Sequence, residues 1–122
     1  METVVFITTE RGTDLIASFA VSDPRNPGEI ESLTLLRTPK YESELDPEER
    51  GVGVSFERFP DDAERDLLKE FHFLANEQQV RIKTQRRTYV LDVWKVDADE
   101  LAEMRKVLRE MNRDRSFRCI GV

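Results

Sequence analysis

The feature that most constrains the fold is the position of one amphipathic helix near the end of the chain. Residues 97–112 begin with Asp97 as a candidate N-cap, and Glu100 follows at the spacing of a capping box. The apolar stripe of this helix consists of Ala98, Leu101, Met104, Val107, Leu108 and Met111. Asn112 can end the helix. Almost every strand-like segment precedes it, so strands and helices do not alternate, and a doubly wound parallel sheet is disfavoured.

Seven segments before the helix combine β-branched or aromatic residues with alternating apolar and polar positions, the pattern of half-buried strands. They are residues 3–9, 14–21, 30–37, 52–59, 67–74, 80–84 and 88–96. The turn around Gly12 joins the first two as a hairpin. Residues 88–96 are apolar on both faces, which predicts a central strand. Residues 61–74 fit a helix or a strand, and we predict a short helical turn at 61–66 before the strand at 67–74.

These elements predict an α+β fold. A mainly antiparallel sheet or half-barrel of about seven strands would pack against one C-terminal amphipathic helix, and residues 116–122 would form a short terminal strand. The length of 122 residues suits a single domain that spans residues 1–122. Four strands, three strands and a helix is an order similar to that of pleckstrin-homology-like barrels, but no residue motif supports membership or carries that function over.

Composition excludes several classes of protein. Charged residues make up 36% of the chain, and the longest apolar run, residues 4–7, is far shorter than the roughly 20 residues that span a bilayer. No basic-then-apolar leader is visible. We therefore expect a cytoplasmic protein without a membrane partner. The lone Cys119 cannot close a disulfide within the chain and is expected to be a free thiol.

The residues that usually carry catalysis are scarce. His72 is the only histidine, and its apolar neighbours favour a partly buried structural role. Cys119 matches no nucleophile motif, and the isolated glycines form no phosphate-binding loop. The acidic segment lacks the Asp-rich, Gly-centred pattern of a calcium loop. We predict no catalytic residue, no metal site and no cofactor.

Charge is unevenly distributed. Residues 1–62 hold 6 basic and 14 acidic side chains, whereas residues 63–122 hold 13 and 11. The segment 38–51 is expected to be a solvated, extended acidic loop, with Glu42, Glu44 and Asp46 as candidate contacts. The leading hypothesis is a small, non-catalytic, bacterial-type cytosolic protein that binds a macromolecular partner, most simply a protein. In an immunity-like or antitoxin-like version, an acidic face covers a basic partner.

Two alternatives remain open. The first is nucleic-acid binding, in which a basic strand pair follows phosphates while an aromatic ring stacks on a base. The residues concerned are Arg81, Lys83, Arg86, Arg87 and Tyr89. The acidic total of the chain disfavours it. The second alternative is a small-ligand binder or enzyme with a pocket between sheet and helix, using His72, Tyr89 or Trp94.

The terminal strand raises the question of self-association. Residues 117–122 would leave an open edge unless they pair within the chain or with another copy. A homodimer through this C-terminal strand is therefore also predicted.

Overall fold

The computed structural model describes residues 1–60 and 65–122, and these residues form eight strands and one α-helix. The strands are β1 (Glu2–Arg11), β2 (Leu15–Ser22), β3 (Ile30–Arg37), β4 (Gly53–Phe56), β5 (Asp66–Leu74), β6 (Gln79–Thr84), β7 (Thr88–Asp92) and β8 (Arg118–Ile120). The helix is α1 (Ala98–Met111), and three 3₁₀ turns cover Pro39–Glu44, Pro47–Glu49 and Ala75–Glu77. The predicted α+β class and the single C-terminal helix are confirmed.

The eight strands form one mostly antiparallel sheet in the order β4-β3-β2-β1-β7-β6-β5-β8. Two pairings are parallel, β1 with β7 and β5 with β8. A further antiparallel pairing joins β4 to β5 through Gly53 and Val54, so the first seven strands close on themselves. Because β4 and β5 share only two register pairs, this closure is short.

Alternation along β2 places Leu15, Ala17, Phe19 and Val21 on the inner face, and all four are buried. They belong to one core cluster that contains residues of every strand from β1 to β7, and of α1. The hydrophobic effect therefore acts on sheet and helix together, at roughly 25 cal/mol for each Å² of apolar surface that folding removes from water.

The helix docks on the sheet by its apolar stripe and by one polar contact. Met104, Val107, Leu108 and Met111 are all fully buried. The expected capping box is wrong, because Asp97 makes no side-chain cap bond and Glu100 Oε1 accepts a 2.6 Å hydrogen bond from the backbone N–H of Ile7 in β1. Glu100 thus satisfies a strand donor instead of a helix donor.

The strand predicted at 88–96 is central, since β7 lies between β6 and β1, but it ends at Asp92. Asp92 Oδ1 accepts a hydrogen bond from the backbone N–H of Trp94, a local turn that competes with the strand ladder. Val93 and Val96 remain buried, whereas Trp94 is 55% exposed. The prediction of one strand over 88–96 is therefore wrong beyond Asp92, and Trp94 lies outside the sheet.

The acidic segment is folded, contrary to the prediction of an extended loop at 38–51. Pro39 and Pro47 each begin a 3₁₀ turn, where the fixed φ of proline suits the first position. Arg37, at the end of β3, reaches back with two hydrogen bonds to Glu42. This ion pair holds the start of the segment against β3.

The strands β4 and β5 also differ from prediction at their ends. β4 stops at Phe56 rather than residue 59, because the backbone N–H of Phe59 turns back to the carbonyl of Phe56. β5 confirms the predicted strand at 67–74 and begins one residue earlier, at Asp66. The helical turn predicted at 61–66 lies mostly outside the described residues, and its last residue, Asp66, is in β5.

The terminal strand is shorter than the predicted 116–122 and pairs within the chain. Residues 118–120 form β8 beside β5, with Cys119 opposite Phe71. Gly121 follows with φ +84°, and a side chain there would collide with the carbonyl oxygen of Phe73.

Within residues 1–60 and 65–122, no helix has the length and apolar character needed to cross a bilayer.

Candidate functional site: an acidic groove on the β3–β4 face

A groove of about 790 Å³ lies on the outer side of β3 and β4. Its strand residues include the outward Thr34, Leu36 and Ser55. The buried Val54 and Phe56 of β4 and the predicted site residue Tyr89 of β7 also line it. Tyr41 and Leu45 contribute from the 3₁₀ segment that follows β3. Further lining residues are Phe59, Pro60, Arg65 and Asp66, together with Glu42, Glu44 and Glu57. We call this feature the acidic groove.

The local sequence explains why the groove has an apolar part. Leu33 and Leu35 point inward from β3 and are fully buried, so Leu36 must point outward, where it is 41% exposed. The turn at Pro39 then brings Tyr41, which is 49% exposed, to the same groove. Leu36 and Tyr41 thus offer apolar contact area that the core does not use.

Among the described residues of the lining, carboxylates outnumber cations, with four acidic side chains against Arg65. Glu42 is bound at 2.9 Å through its second oxygen to Arg37, which also binds Asp114. Glu57 Oε1 accepts a 2.8 Å hydrogen bond from the backbone N–H of Ser32. The exposed Glu44 and Glu57 are therefore the carboxylates that the groove offers to a cation.

Asp66 is the most unusual of these acids because it is only 5% exposed. Its Oδ2 accepts a 2.6 Å hydrogen bond from the hydroxyl of Thr84. That hydroxyl oxygen in turn accepts from the backbone N–H groups of Arg86 and Arg87, at 3.2 and 2.9 Å. The other oxygen, Oδ1, is buried and has no hydrogen-bond partner in the described parts of the chain. Buried acceptors are normally satisfied, so this atom is an exception, and it is closed to solvent.

The acidic character continues beyond the groove. Asp46, Glu48 and Glu49 follow Glu44 along the chain, and all four side chains are exposed. None of them forms an ion pair with a residue in 1–60 or 65–122. Of the three acidic residues predicted as contacts, Glu44 and Asp46 are thus available, whereas Glu42 is committed to holding the segment on β3.

The predicted basic residues lie elsewhere. Arg81 and Lys83 point outward from β6, and Arg81 is 3.9 Å from Glu77. Arg86 is exposed in the turn after β6, and the guanidinium of Arg87 lies 3.6 Å from the ring centre of Phe59. These residues are in sequence proximity, but they do not form part of the acidic groove.

The position of Tyr89 contradicts its predicted role in stacking on a base. It lies opposite Ile82 in the β6–β7 register and points inward with it, so the ring is only 9% exposed. It contacts Phe56 edge to face, with ring centres 5.8 Å apart. A ring in this position cannot stack on a base beside Arg81 and Lys83.

The three residues named for a pocket between sheet and helix do not converge. His72 lies on the outward phase of β5, opposite Arg81, whereas Tyr89 faces the core and Trp94 is in an exposed turn. The side-chain Nε2 of His72 is buried and has no partner among the described residues.

Burial raises the pKa of the Cys119 thiol to about 11, which disfavours the reactive thiolate.

Sequence reasoning missed Asp66, Leu36 and Tyr41. A signal was available for Leu36. It directly follows Leu35, which faces inward, so Leu36 must lie on the outer face of the strand, where polar residues are expected. Asp66 carried no comparable signal, because its burial depends on the closure between β4 and β5.

By fold and site, the chain is a small α+β domain with a closed, mostly antiparallel sheet and an acidic groove on its outer face. No family model matches the sequence, and comparisons with curated proteins and with solved structures likewise gave no match.

Proposed function

We propose that this protein is a non-catalytic binding module whose acidic groove takes a basic, extended segment of a partner protein. The observation that carries the proposal is the combination in one groove of exposed apolar area and exposed carboxylates. A basic segment complements both, because lysine and arginine have long aliphatic stems that pack on apolar surface while their charged ends bind carboxylates.

The size of the groove suits a few side chains of such a segment. Its volume of about 790 Å³ is within the range of typical binding clefts, roughly 300 to 1,000 Å³. The uncompensated acids at 44–49 would attract a positively charged partner before contact and raise the association rate. Neutralisation of a basic partner in the cytoplasm, as an immunity protein or antitoxin performs it, is one form of this function.

The test is an NMR titration of the labelled protein with an uncharged-end peptide of sequence Gly-Lys-Ala-Lys-Gly. We expect amide shifts at Leu36, Tyr41 and Ser55. The double variant Glu44→Gln, Glu57→Gln should bind about tenfold more weakly, as expected for losing charge-assisted contacts. Glutamine at position 57 keeps the acceptor that Ser32 uses, which preserves the fold.

A matched control removes the same charge away from the groove through Glu10→Gln and Glu29→Gln. The proposal is contradicted if this control weakens binding equally, or if the peptide shifts no groove residue. Gly-Glu-Ala-Glu-Gly should not bind.

Binding in the acidic groove needs only one copy of the chain. β8 already pairs with β5 within the chain, so one of its two edges is occupied. Addition of a second copy at the other edge of β8 stays a prediction. Nucleic-acid binding through the outward residues Arg81 and Lys83 stays a disfavoured alternative.

A further inference from the structure

We infer that the acidic groove recognises a basic and an apolar side chain that stand four residues apart in an extended partner segment. The inference rests on the proposed function and deepens it by naming the pattern of side chains that the partner presents. The order of polar and apolar residues along the floor of the groove supports it.

The floor of the acidic groove consists of three outward cross-strand pairs of β3 and β4. In order along β3, these pairs are Ser32 with Glu57, Thr34 with Ser55, and Leu36 with Gly53. The floor therefore begins with a carboxylate, continues with two hydroxyls and ends with an apolar side chain. Four residue steps separate the first pair from the last, a distance of roughly 13 Å at about 3.3 Å per residue.

Glu57 is the carboxylate that can bind a partner's cation at the first pair. Its side chain is exposed, and Oε1 accepts the hydrogen bond from the backbone N–H of Ser32, so the carboxylate is held on the floor. The next residue, Arg58, does not compensate this charge, because its guanidinium binds Glu2 and Glu31 at 2.6 and 2.9 Å. A cation of the partner therefore has a defined position at this end.

At the last pair the groove offers apolar surface. Leu36 is exposed there, and the exposed Tyr41 lies at the same end of β3, where its backbone N–H donates to the carbonyl of Thr38. The guanidinium of Arg65 lies beside Gly53, where a β-carbon would be 3.3 Å from Nε. Because this positive charge repels a second cation, the Leu36 end favours an aliphatic or aromatic side chain.

Glu44, near the same end, does not reverse this preference. Arg50 donates hydrogen bonds to the carbonyls of Ser43 and Leu45, so a guanidinium of the chain itself lies beside Glu44. Glu44 therefore adds to the attraction of a basic partner from a distance, whereas Glu57 is the carboxylate that binds the cation.

An extended segment lying along this floor has the required spacing. Alternate side chains of an extended chain point to the same face, and each residue advances about 3.3 Å. A basic residue above Glu57 thus places its fourth neighbour above Leu36. The residue midway between them lies above the hydroxyls of Thr34 and Ser55, where a small side chain fits. Because the contacts are made by side chains, the segment can run in either direction.

The experiment compares two peptides with uncharged ends and identical composition. The first, Leu-Thr-Ser-Thr-Lys-Thr-Ser-Thr-Leu, has leucine four residues from lysine in both directions, so either orientation presents the pattern. The second, Thr-Leu-Ser-Thr-Lys-Thr-Ser-Leu-Thr, has leucine three residues from lysine, on the opposite face of an extended chain. Threonine favours the extended conformation in both peptides.

NMR titration of the full chain measures both dissociation constants and the residues that shift. We expect the first peptide to bind about tenfold more tightly, which corresponds to burying roughly half of a leucine side chain. It should shift the amides of Leu36, Tyr41 and Glu57. The second peptide should shift Glu57 and leave Leu36 and Tyr41 nearly unchanged.

Leu36→Thr should make the two peptides bind equally, because it removes the apolar end of the floor while threonine suits a strand. Ile30→Thr is the matched control, since Ile30 lies on the same strand, is 43% exposed and is outside the groove. It should keep the tenfold ratio. Glu57→Gln should weaken both peptides and keep their ratio. Thermal unfolding shows whether each variant is folded, and if Leu36→Thr is not, the ratio in the unaltered protein decides.

The outcomes separate the two proposals. Equal binding of both peptides in the groove overturns the spacing and leaves the proposed function standing. Tighter binding of the second peptide overturns the spacing as well, as does a preference for the first that persists in folded Leu36→Thr. No groove shift with either peptide overturns both proposals.

Discussion

Arg37 is a charged side chain of which only 8% is exposed, and it connects three parts of the chain. It bonds to Glu42 in the 3₁₀ turn, to Asp114 after the helix, and to the backbone carbonyl of Met111 at the helix end. Burying a guanidinium is costly unless its donors are used, and these acceptors compensate the cost. One residue thus fixes both the 3₁₀ segment of the acidic groove and the end of α1.

This cluster predicts a specific acid response. The Arg37 hydrogen bond lowers the pKa of Asp114 to about 2, from an ordinary value of 3.8. A carboxyl whose pKa is lower in the folded state stabilises the fold above the unfolded value, and that contribution disappears as pH falls from about 4 to about 2. Asp114→Asn should therefore lower the free energy of unfolding at pH 7 and reduce its decrease over that interval.

Urea unfolding at several pH values measures this response. Glu48→Gln is the matched control, because Glu48 is exposed and makes no ion pair with the described residues. The same acid dependence in Asp114→Asn as in the unaltered protein would show that Asp114 does not contribute it.

At the scale of elements, β8 depends on Gly121. The positive φ and the nearby carbonyl of Phe73 leave no space for a β-carbon. Gly121→Ala should displace β8 from β5 and expose Cys119, whose pKa is raised by burial to about 11. For each unit by which exposure lowers the pKa of Cys119, about tenfold more thiolate is present at neutral pH. Labelling by a thiol reagent should therefore accelerate at least about tenfold.

Gly12→Ala is the control for this substitution, because no atom of the described chain lies within 4 Å of a β-carbon at that position. Its labelling rate should stay unchanged. Unaltered labelling in Gly121→Ala, with the chain folded, would contradict the dependence of β8 on this glycine.

Sequence periodicity predicted the strands well where one face is buried. β2 and β3 follow the alternation that burial imposes, except at the buried Ala20, and the predicted 30–37 has the bounds of β3. Strand ends were predicted less well, because single side-chain bonds decide them. Asp92 ends β7 by binding the N–H of Trp94, and a helix acid, Glu100, binds a strand instead of its own cap. Such bonds depend on tertiary position, which periodicity does not contain.

At the scale of the whole molecule, the acidic groove could be predicted only in part. Its acidic segment was visible as a run of carboxylates, but the groove also needs outward residues of β3 and β4 and the start of β5. These segments are separated along the chain and meet because the sheet closes between β4 and β5. Local sequence patterns predict each segment, whereas the groove forms only because the sheet closes between β4 and β5.

The connected core predicts that the molecule unfolds as one unit. Phe71 of β5 and Leu108 of α1 are fully buried in the same cluster, so loss of the helix also exposes sheet residues. Leu108→Ala should lower the free energy of unfolding by about 2 to 5 kcal/mol. Urea transitions followed by far-ultraviolet circular dichroism and by Trp94 fluorescence should shift together and remain coincident. The control Ala98→Ser, at an exposed position of the same helix, should change the free energy of unfolding little. Separate transitions for helix and sheet would show that the core is not shared.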